Sequence, residues 1–218
     1  EAVRRFAAEA KLVHVGTTTQ FGKLIYKPAD ENHPEFPYDI YSANKSVSEK
    51  YVLLYAKAYN MPATVVRLPN VFGPRAAIHS SEFTFNNYFI GLALQGKKVT
   101  VYGDGKQLRN VLYIDDAVSA LLGISQSPES NGEVFLACGD RHHSVREIAE
   151  CTVRYIGAGE VGFVDWPESR RTLEVGDAIF TNSKLKAILV DWKPLTDLRI
   201  GLEATRDYYK ECLGEYLR

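Results

Sequence analysis

Cysteine is scarce. Cys138, Cys151 and Cys212 are far apart, odd in number and without metal-ligand spacing. That argues against a disulfide framework or a cysteine-built metal centre, and a reducing cytoplasm is the simplest setting for three inert thiols. An excess of one charge is lacking too, since 26 Lys+Arg stand against 27 Asp+Glu for a formal net charge of -1. With both signs interspersed, nothing points to nucleic acid or a membrane surface as partner. No apolar run is long enough to span a bilayer, and no signal-peptide pattern is present. Internal repeats and low-complexity segments are absent as well. What is present is an ordinary globular composition, 45% hydrophobic and 24% charged over 218 residues. That suits one large or two small domains.

The chain opens at Glu1, with no methionine, on what reads as the end of a helix already under way. Val3, Phe6 and Ala7 give residues 1–9 helical spacing, so the chain is expected to begin inside a larger domain. Residues 11–16 read as a buried strand ending in the polar turn 17–22, and the Pro- and acid-rich 23–37 as a loop. A long helix follows over 38–60, with Val47, Tyr51, Leu54 and Tyr55 as its apolar face, closed by Pro62. Residues 63–68 form a second buried strand. Helix followed by apolar strand, twice over, predicts a parallel sheet with crossover helices.

Beyond it, helices are expected over 81–95, from Asp115 or Asp116 through Leu122, and from a Ser144 cap with Glu147 at the capping-box position to about Tyr155. A short helix capped by Asn182 or Ser183 and a final one over 197–217 complete the set. Strands are expected over 99–102, 108–113, 134–137 and 161–164, with 170–178 irregular.

One stretch carries chemistry. In Asp39-Ile40-Tyr41-Ser42-Ala43-Asn44-Lys45, the tyrosine and lysine are four apart and share a helix face. An ammonium beside a phenol favours the phenolate, which suits a proton acceptor working in step with hydride transfer. Alone, the pair reads more readily as a packed ring and a solvated lysine.

Four further segments change that reading: Val13–Gly22; Arg67-Leu68-Pro69-Asn70-Val71-Phe72-Gly73-Pro74; Val101–Asp116 with its Gly103-Asp104-Gly105 turn; and the stretch from Trp166 to Trp192-Lys193-Pro194. In this order and spacing the chain resembles the extended short-chain dehydrogenase/reductase family of nucleotide-sugar epimerases and dehydratases. The resemblance implies an α/β fold: the C-terminal part of a Rossmann-like doubly wound parallel sheet plus a smaller α/β substrate-binding domain. Residues 1–75 would belong to the NAD-binding domain and 76–218 mainly to the nucleotide-sugar domain, with 108–125 and parts of 175–190 crossing back. A departure stands beside the match. No G-x-x-G-x-x-G-like stretch follows a strand here, and Gly157-Ala158-Gly159 lies outside any strand-to-helix opening.

By the same resemblance NAD would be the cofactor and a nucleotide-diphosphate sugar the substrate. Tyr41 would be the base, Lys45 its electrostatic helper and ribose ligand, and Thr17 the hydroxyl bridging substrate and tyrosine; Pro69 would line the cofactor. Thr18, Asn70, Asn86, Asn87, Val101, Tyr102, Arg109 and Arg171 would contact substrate, with Asn86 or Asn87 on the diphosphate and Arg170 as the alternative to Arg171.

The family's 4,6-dehydratases carry Asp-Glu where this chain has Thr18-Thr19, and a hydroxyl is no acid or base near neutral pH. A 4-epimerase, working through a transient 4-keto sugar, is therefore the expected function. A 4,6-dehydratase or 4-keto reductase is the alternative inside the family, and a non-catalytic binding or structural member the alternative outside it. A homodimer through the helices at 38–60 and 81–95 is expected. His142-His143 reads as a loop pair, with no metal site expected.

Overall fold

The computed structural model describes residues 1–171 and 174–217, and the side chains of Ser169 and Arg170 also lie outside the described set. The elements run α1 (Ala2–Phe6), β1 (Leu12–Thr17), a 3-10 turn (Thr18–Phe21), α2 (Ile40–Tyr59), β2 (Ala63–Leu68), β3 (Asn70–Phe72), α3 (Phe85–Leu94), β4 (Lys98–Tyr102) and β5 (Leu108–Tyr113). They continue as α4 (Ile114–Gln126), β6 (Val134–Leu136), β7 (His142–Ser144), α5 (Val145–Ile156), β8 (Glu160–Val164), α6 (Glu168–Arg171), α7 (Ser183–Ile188) and α8 (Leu198–Tyr216). The chain divides into two compact units. One holds Glu1–Pro69, Asp115–Asp140 and Ile179–Lys193; the other holds Asn70–Ile114, Arg141–Ala178 and Pro194–Arg218.

In the first unit β1, β2 and β6 form a parallel sheet in that order. β1 and β2 pair along their whole length, from Leu12↔Ala63 to Thr17↔Leu68, with α2 as the crossover between them. β2 is buried from Ala63 through Arg67, as expected of a strand covered on both faces. Val66, Ala120, Ile124, Phe135, Ala137 and Leu185 pack as one cluster joining β2, β6, α4 and α7. Fully burying a side chain the size of Ile124 or Phe135 stabilises the fold by about 1.5–3 kcal/mol.

α2 starts where its cap dictates, with Asp39 Oδ1 accepting the Ser42 N–H at 2.7 Å, and it stops at Asn60 in the left-handed region. Its orientation overturns the expectation. Val47, Tyr51 and Leu54 are 50%, 63% and 61% exposed, while Ser42, Ser46, Glu49 and Ala56 face inward. Periodicity locates an apolar stripe but does not say which way it points. Here the polar side is turned in because Arg67 of β2 and Gln20 of the 3-10 turn satisfy Glu49.

The second unit holds β3, β5 and β7 in that order, with β3 parallel and β7 antiparallel to β5. β4 and β8 form a separate parallel pair. Phe72, Phe89, Ile90, Val99, Val101, Ile148 and Leu202 centre its core. α3 begins at Phe85, four residues later than the pattern suggested, because 81–84 form a turn. Ser144 caps α5 as expected, accepting the Glu147 N–H at 3.0 Å, but the Glu147 carboxylate reaches Arg141 instead of closing a capping box. Asn182 does not cap α7 with its side chain; that amide donates to Cys138 O and Asp140 Oδ1, both at 2.7 Å. His142 and His143 lie on β7, opposite Asn110 and Arg109, rather than in a loop.

Among the described residues no helix is long and apolar enough to cross a membrane, and no group of three His, Cys, Asp or Glu side chains could hold a metal ion.

Candidate active site

The C-terminal end of β1 and the first turns of α2 bring reactive side chains together in the first unit. Thr17, the last residue of β1, is 7% exposed. Its Oγ1 accepts the Thr19 N–H at 3.2 Å and lies 3.1 Å from Thr19 Oγ1. Ser42, wholly buried on α2, donates its hydroxyl to Thr19 Oγ1 at 2.9 Å. The parallel register and the Asp39 cap together set that contact, because one fixes where β1 ends and the other where α2 begins. Lys45, one turn further along, donates from Nζ to Val15 O at 2.8 Å and is half-buried. Tyr41, beside Ser42 and on the Lys45 face, is 56% exposed. Thr18 is buried in the turn, and Pro69 ends the stretch after β2. His14 of β1 is held below the ordinary histidine range, first by burial and then by the Lys45 charge.

A buried ionic cluster supports this region, and nothing in the motif reading singled it out. Arg67 is 3% exposed and Glu49 2%. The guanidinium forks onto Glu49, 2.9 Å to Oε2 and 2.5 Å to Oε1, and also meets Glu35 Oε1 at 2.8 Å. Gln20 Nε2 donates to Glu49 Oε2 at 2.9 Å. Burial pushes the Glu35 carboxyl up, but bonds from Lys50 and Ser46 and the Arg67 charge outweigh it and hold the group below the usual carboxylate range. The signal for Arg67 was in the sequence: a charge inside an otherwise buried strand requires a partner. Gly22 closes the same corner at φ 61, where an added Cβ would sit 2.0 Å from Phe36 O.

The second unit holds the residues expected to contact substrate. Arg109 Nη1 donates to Leu108 O at 2.9 Å and Gly176 O at 2.6 Å, and Nη2 meets Glu174 Oε1 at 2.7 Å. Asn70 Nδ2 donates to Asn110 O at 3.4 Å. Of the two asparagines opening α3, Asn87 spends its Nδ2 on Val71 O and Thr84 Oγ1. Asn86 is 3% exposed and among the described residues neither of its amide atoms has a partner, whereas Asn87 leaves only Oδ1 without one. Val101 points into the core. Tyr102 stands against Trp166, ring centroids 5.4 Å apart. Arg171 is exposed on α6, and the Arg170 side chain lies outside the described residues. Sequence reasoning missed Thr19, Ser42 and Glu174. The first two carried a weak signal, as hydroxyls flanking Thr17 and Tyr41. Glu174 carried none, because its partner is 65 residues away.

Comparison with known proteins gives this geometry a context. The family model described as "NAD dependent epimerase/dehydratase family" matches residues 1–138. UDP-glucuronic acid decarboxylase 1 of Xenopus tropicalis is 29% identical over 94% of this chain and 48% of its own length. The structure of a Thermotoga maritima UDP-glucose 4-epimerase with UDP-glucose is 26% identical, with a TM-score of 0.83 over 94% of this chain and 64% of that one. A dTDP-glucose 4,6-dehydratase of Bacillus anthracis, in complex with NAD, is also 26% identical, with a TM-score of 0.82 over 100% of this chain and 67% of the other. The chain spans about half the length of three of the curated relatives it matches, 48% to 57%.

Proposed function

The chain belongs to the NAD dependent epimerase/dehydratase family, and we propose that it carries the reacting end of a nucleotide-sugar 4-epimerase. One observation carries the choice within the family. The two positions after Thr17 hold hydroxyls, Thr18 buried and Thr19 Oγ1 3.1 Å from Thr17 Oγ1, in place of an acid and a base. The nearest carboxylates in the supporting cluster, Glu49 and Glu35, are committed to Arg67. Water elimination therefore lacks the additional acid and base it needs at these positions, whereas reversible oxidation at one sugar carbon needs only the one proton acceptor and donor that Tyr41 can supply.

The residues present fit the nicotinamide-ribose end of NAD. An ammonium has three donors, and Lys45 spends one on Val15 O, leaving two for a ribose diol. No glycine-rich stretch in these residues offers the backbone cradle for the pyrophosphate. The chemistry that NAD supplies when bound is hydride acceptance and return. Tyr41 takes the proton from the sugar hydroxyl and gives it back, Thr17 holds the reacting oxygen, and Lys45 supplies positive charge beside them. Pro69 packs beside the cofactor, and Thr18 lies next to the sugar. For the nucleotide-diphosphate end we assign Arg109, Arg171 and Asn86, with Asn70, the Val101 backbone and Tyr102 at the base.

Incubating the protein with NAD and a panel of nucleotide sugars, read by mass and NMR, tests the proposal. A C4-inverted product is expected; a product 18 mass units lighter would replace epimerase by dehydratase, and no conversion of any sugar would end the enzymatic reading. Arg109→Ala is expected to raise KM about tenfold or more with kcat little changed, as lost ground-state binding does; an unaltered KM would remove Arg109 from the diphosphate.

The exposed stripe Ile40, Val47, Tyr51 and Leu54 on α2 supports a homodimer through this helix. α3 turns Asn86, Asn87, Phe89 and Ile90 inward, so α2 carries that proposal alone. Tyr51→Glu with Leu54→Glu is expected to convert a dimer to a monomer in sedimentation velocity, at unchanged helix content.

A further inference from the structure

The three-stranded sheet of the first unit has two edges, and they are finished differently. Successive residues of a strand aim their N–H and C=O to opposite edges. The Leu12 N–H reaches Pro62 O at 2.8 Å, so Leu12, His14 and Gly16 face β2 while Val13, Val15 and Thr17 face outward. On β6 the Ala137 N–H reaches Arg67 O at 3.1 Å, which turns Leu136 and Cys138 outward. Side chains cover that edge. Glu31 Oε1 accepts the Leu136 N–H at 2.8 Å, and Asn182 Nδ2 donates to Cys138 O at 2.7 Å. The outer edge of β1 carries one such bond among the described residues, from Lys45 Nζ to Val15 O at 2.8 Å. β1 holds no proline, lysine or acidic residue to repel another strand, and Val15 is 38% exposed. An apolar strand of the parallel type, open along one edge, is a pairing surface.

We propose that this edge takes a further parallel strand from the segment that carries the pyrophosphate cradle, and that pairing releases Lys45 from Val15 O. The role this gives Lys45 rests on the function proposed above. The family is NAD dependent, and these 218 residues hold no glycine-rich cradle, so a segment outside them supplies it. A strand laid parallel to β1 ends beside Thr17, and the turn after it opens at the same end of the sheet as Thr17. The Lys45 ammonium stands at the distance of a ladder N–H and occupies the acceptor that an incoming backbone needs. Pairing exchanges this side-chain donor for a backbone one. Lys45 then has three donors instead of two for the ribose and for Tyr41. The chain with an open edge holds its lysine back, and the paired chain presents it.

The test is hydrogen exchange on this chain with and without a partner strand. The probe is the part of the Thermotoga maritima 4-epimerase outside the matched 64%, supplied as a separate polypeptide. A capped peptide copying residues 62–68 of β2 carries the test if that part does not fold alone. Without a probe, the amides of Val13, Val15 and Thr17 should exchange about tenfold or more faster than those of Leu12, His14 and Gly16. The probe should protect the first set. Lys45 should then be acetylated about fivefold faster, while Lys50, paired with Glu35, changes less than twofold. Lys45→Met keeps the stem and removes the competing donor, so it should bind the probe about fivefold more tightly. A lysine with a merely structural role would not give that gain. No protection by the folded segment, or by the peptide in its place, would overturn the proposal. So would unchanged probe affinity in Lys45→Met. Protection already present in the chain alone, with a dimer in sedimentation velocity, would make a second copy the occupant. None of these readouts needs turnover, so a paired chain that converts no sugar sinks the epimerase reading and leaves the pairing edge standing.

Discussion

Tyr41→Phe is expected to lower kcat about 10^3-fold while the nucleotide sugar still binds within a few-fold of its parent affinity. The substitution removes one oxygen and keeps the ring. Tyr41 is 56% exposed, so the ring's loss of a hydroxyl leaves no buried group unsatisfied. Folding and the Asp39 cap of α2 are therefore untouched, and the effect falls on proton transfer. Steady-state kinetics with the sugar converted in the panel, together with calorimetric binding, separate kcat from affinity. A variant turning over within threefold of the parent would take Tyr41 out of the base role and leave Lys45 a helix lysine anchoring Val15 O.

The second large effect is on stability. Arg67→Ala should cost about 3–5 kcal/mol, because it strands Glu49, 2% exposed, without its counter-charge. For a chain of this length that lowers Tm on the order of 10 °C. The same cluster has a pH signature. The folded-state carboxyl of Glu35 sits below its usual range, so its contribution is present above the ordinary glutamate pKa and is lost as pH falls through the lowered folded value. Urea midpoints of the parent should therefore fall in mildly acidic solution. Those of Arg67→Ala should fall less, since one cause of the lowering is gone. A Tm within about 2 °C of the parent for Arg67→Ala would mean that the loop carrying Glu35 relaxes and water reaches Glu49.

Thermal unfolding and kinetics also separate the two regions: Arg67 should report on the scaffold and Tyr41 on the chemistry. The reactive hydroxyls hang on the ends of β1 and α2, and Arg67 joins α2 to β2 and to the loop at Glu35. A loosened cluster would let α2 shift against β1 and stretch the 2.9 Å Ser42–Thr19 bond.

Much of this was legible in the residues. Apolar runs at 11–16 and 63–68 with a helix between them dictated parallel strands, because two such strands need a crossover and leave no polar face for water. Ser144 announced its helix by a local bond, from side chain to backbone three residues on, that no distant contact has to supply. The Tyr41–Lys45 spacing and the Thr17 strand end were likewise readable, being set by the geometry of single elements. Two things required the folded chain. Which face of α2 is buried was decided by Arg67 and Gln20, since they make an inward Glu49 tolerable. That Asn86 rather than Asn87 keeps an unspent amide N–H was decided by Val71 and Thr84, which occupy the other one. Local bonds are written in sequence spacing; the satisfaction of a buried charge or of a buried amide belongs to neighbours that only the tertiary structure brings together.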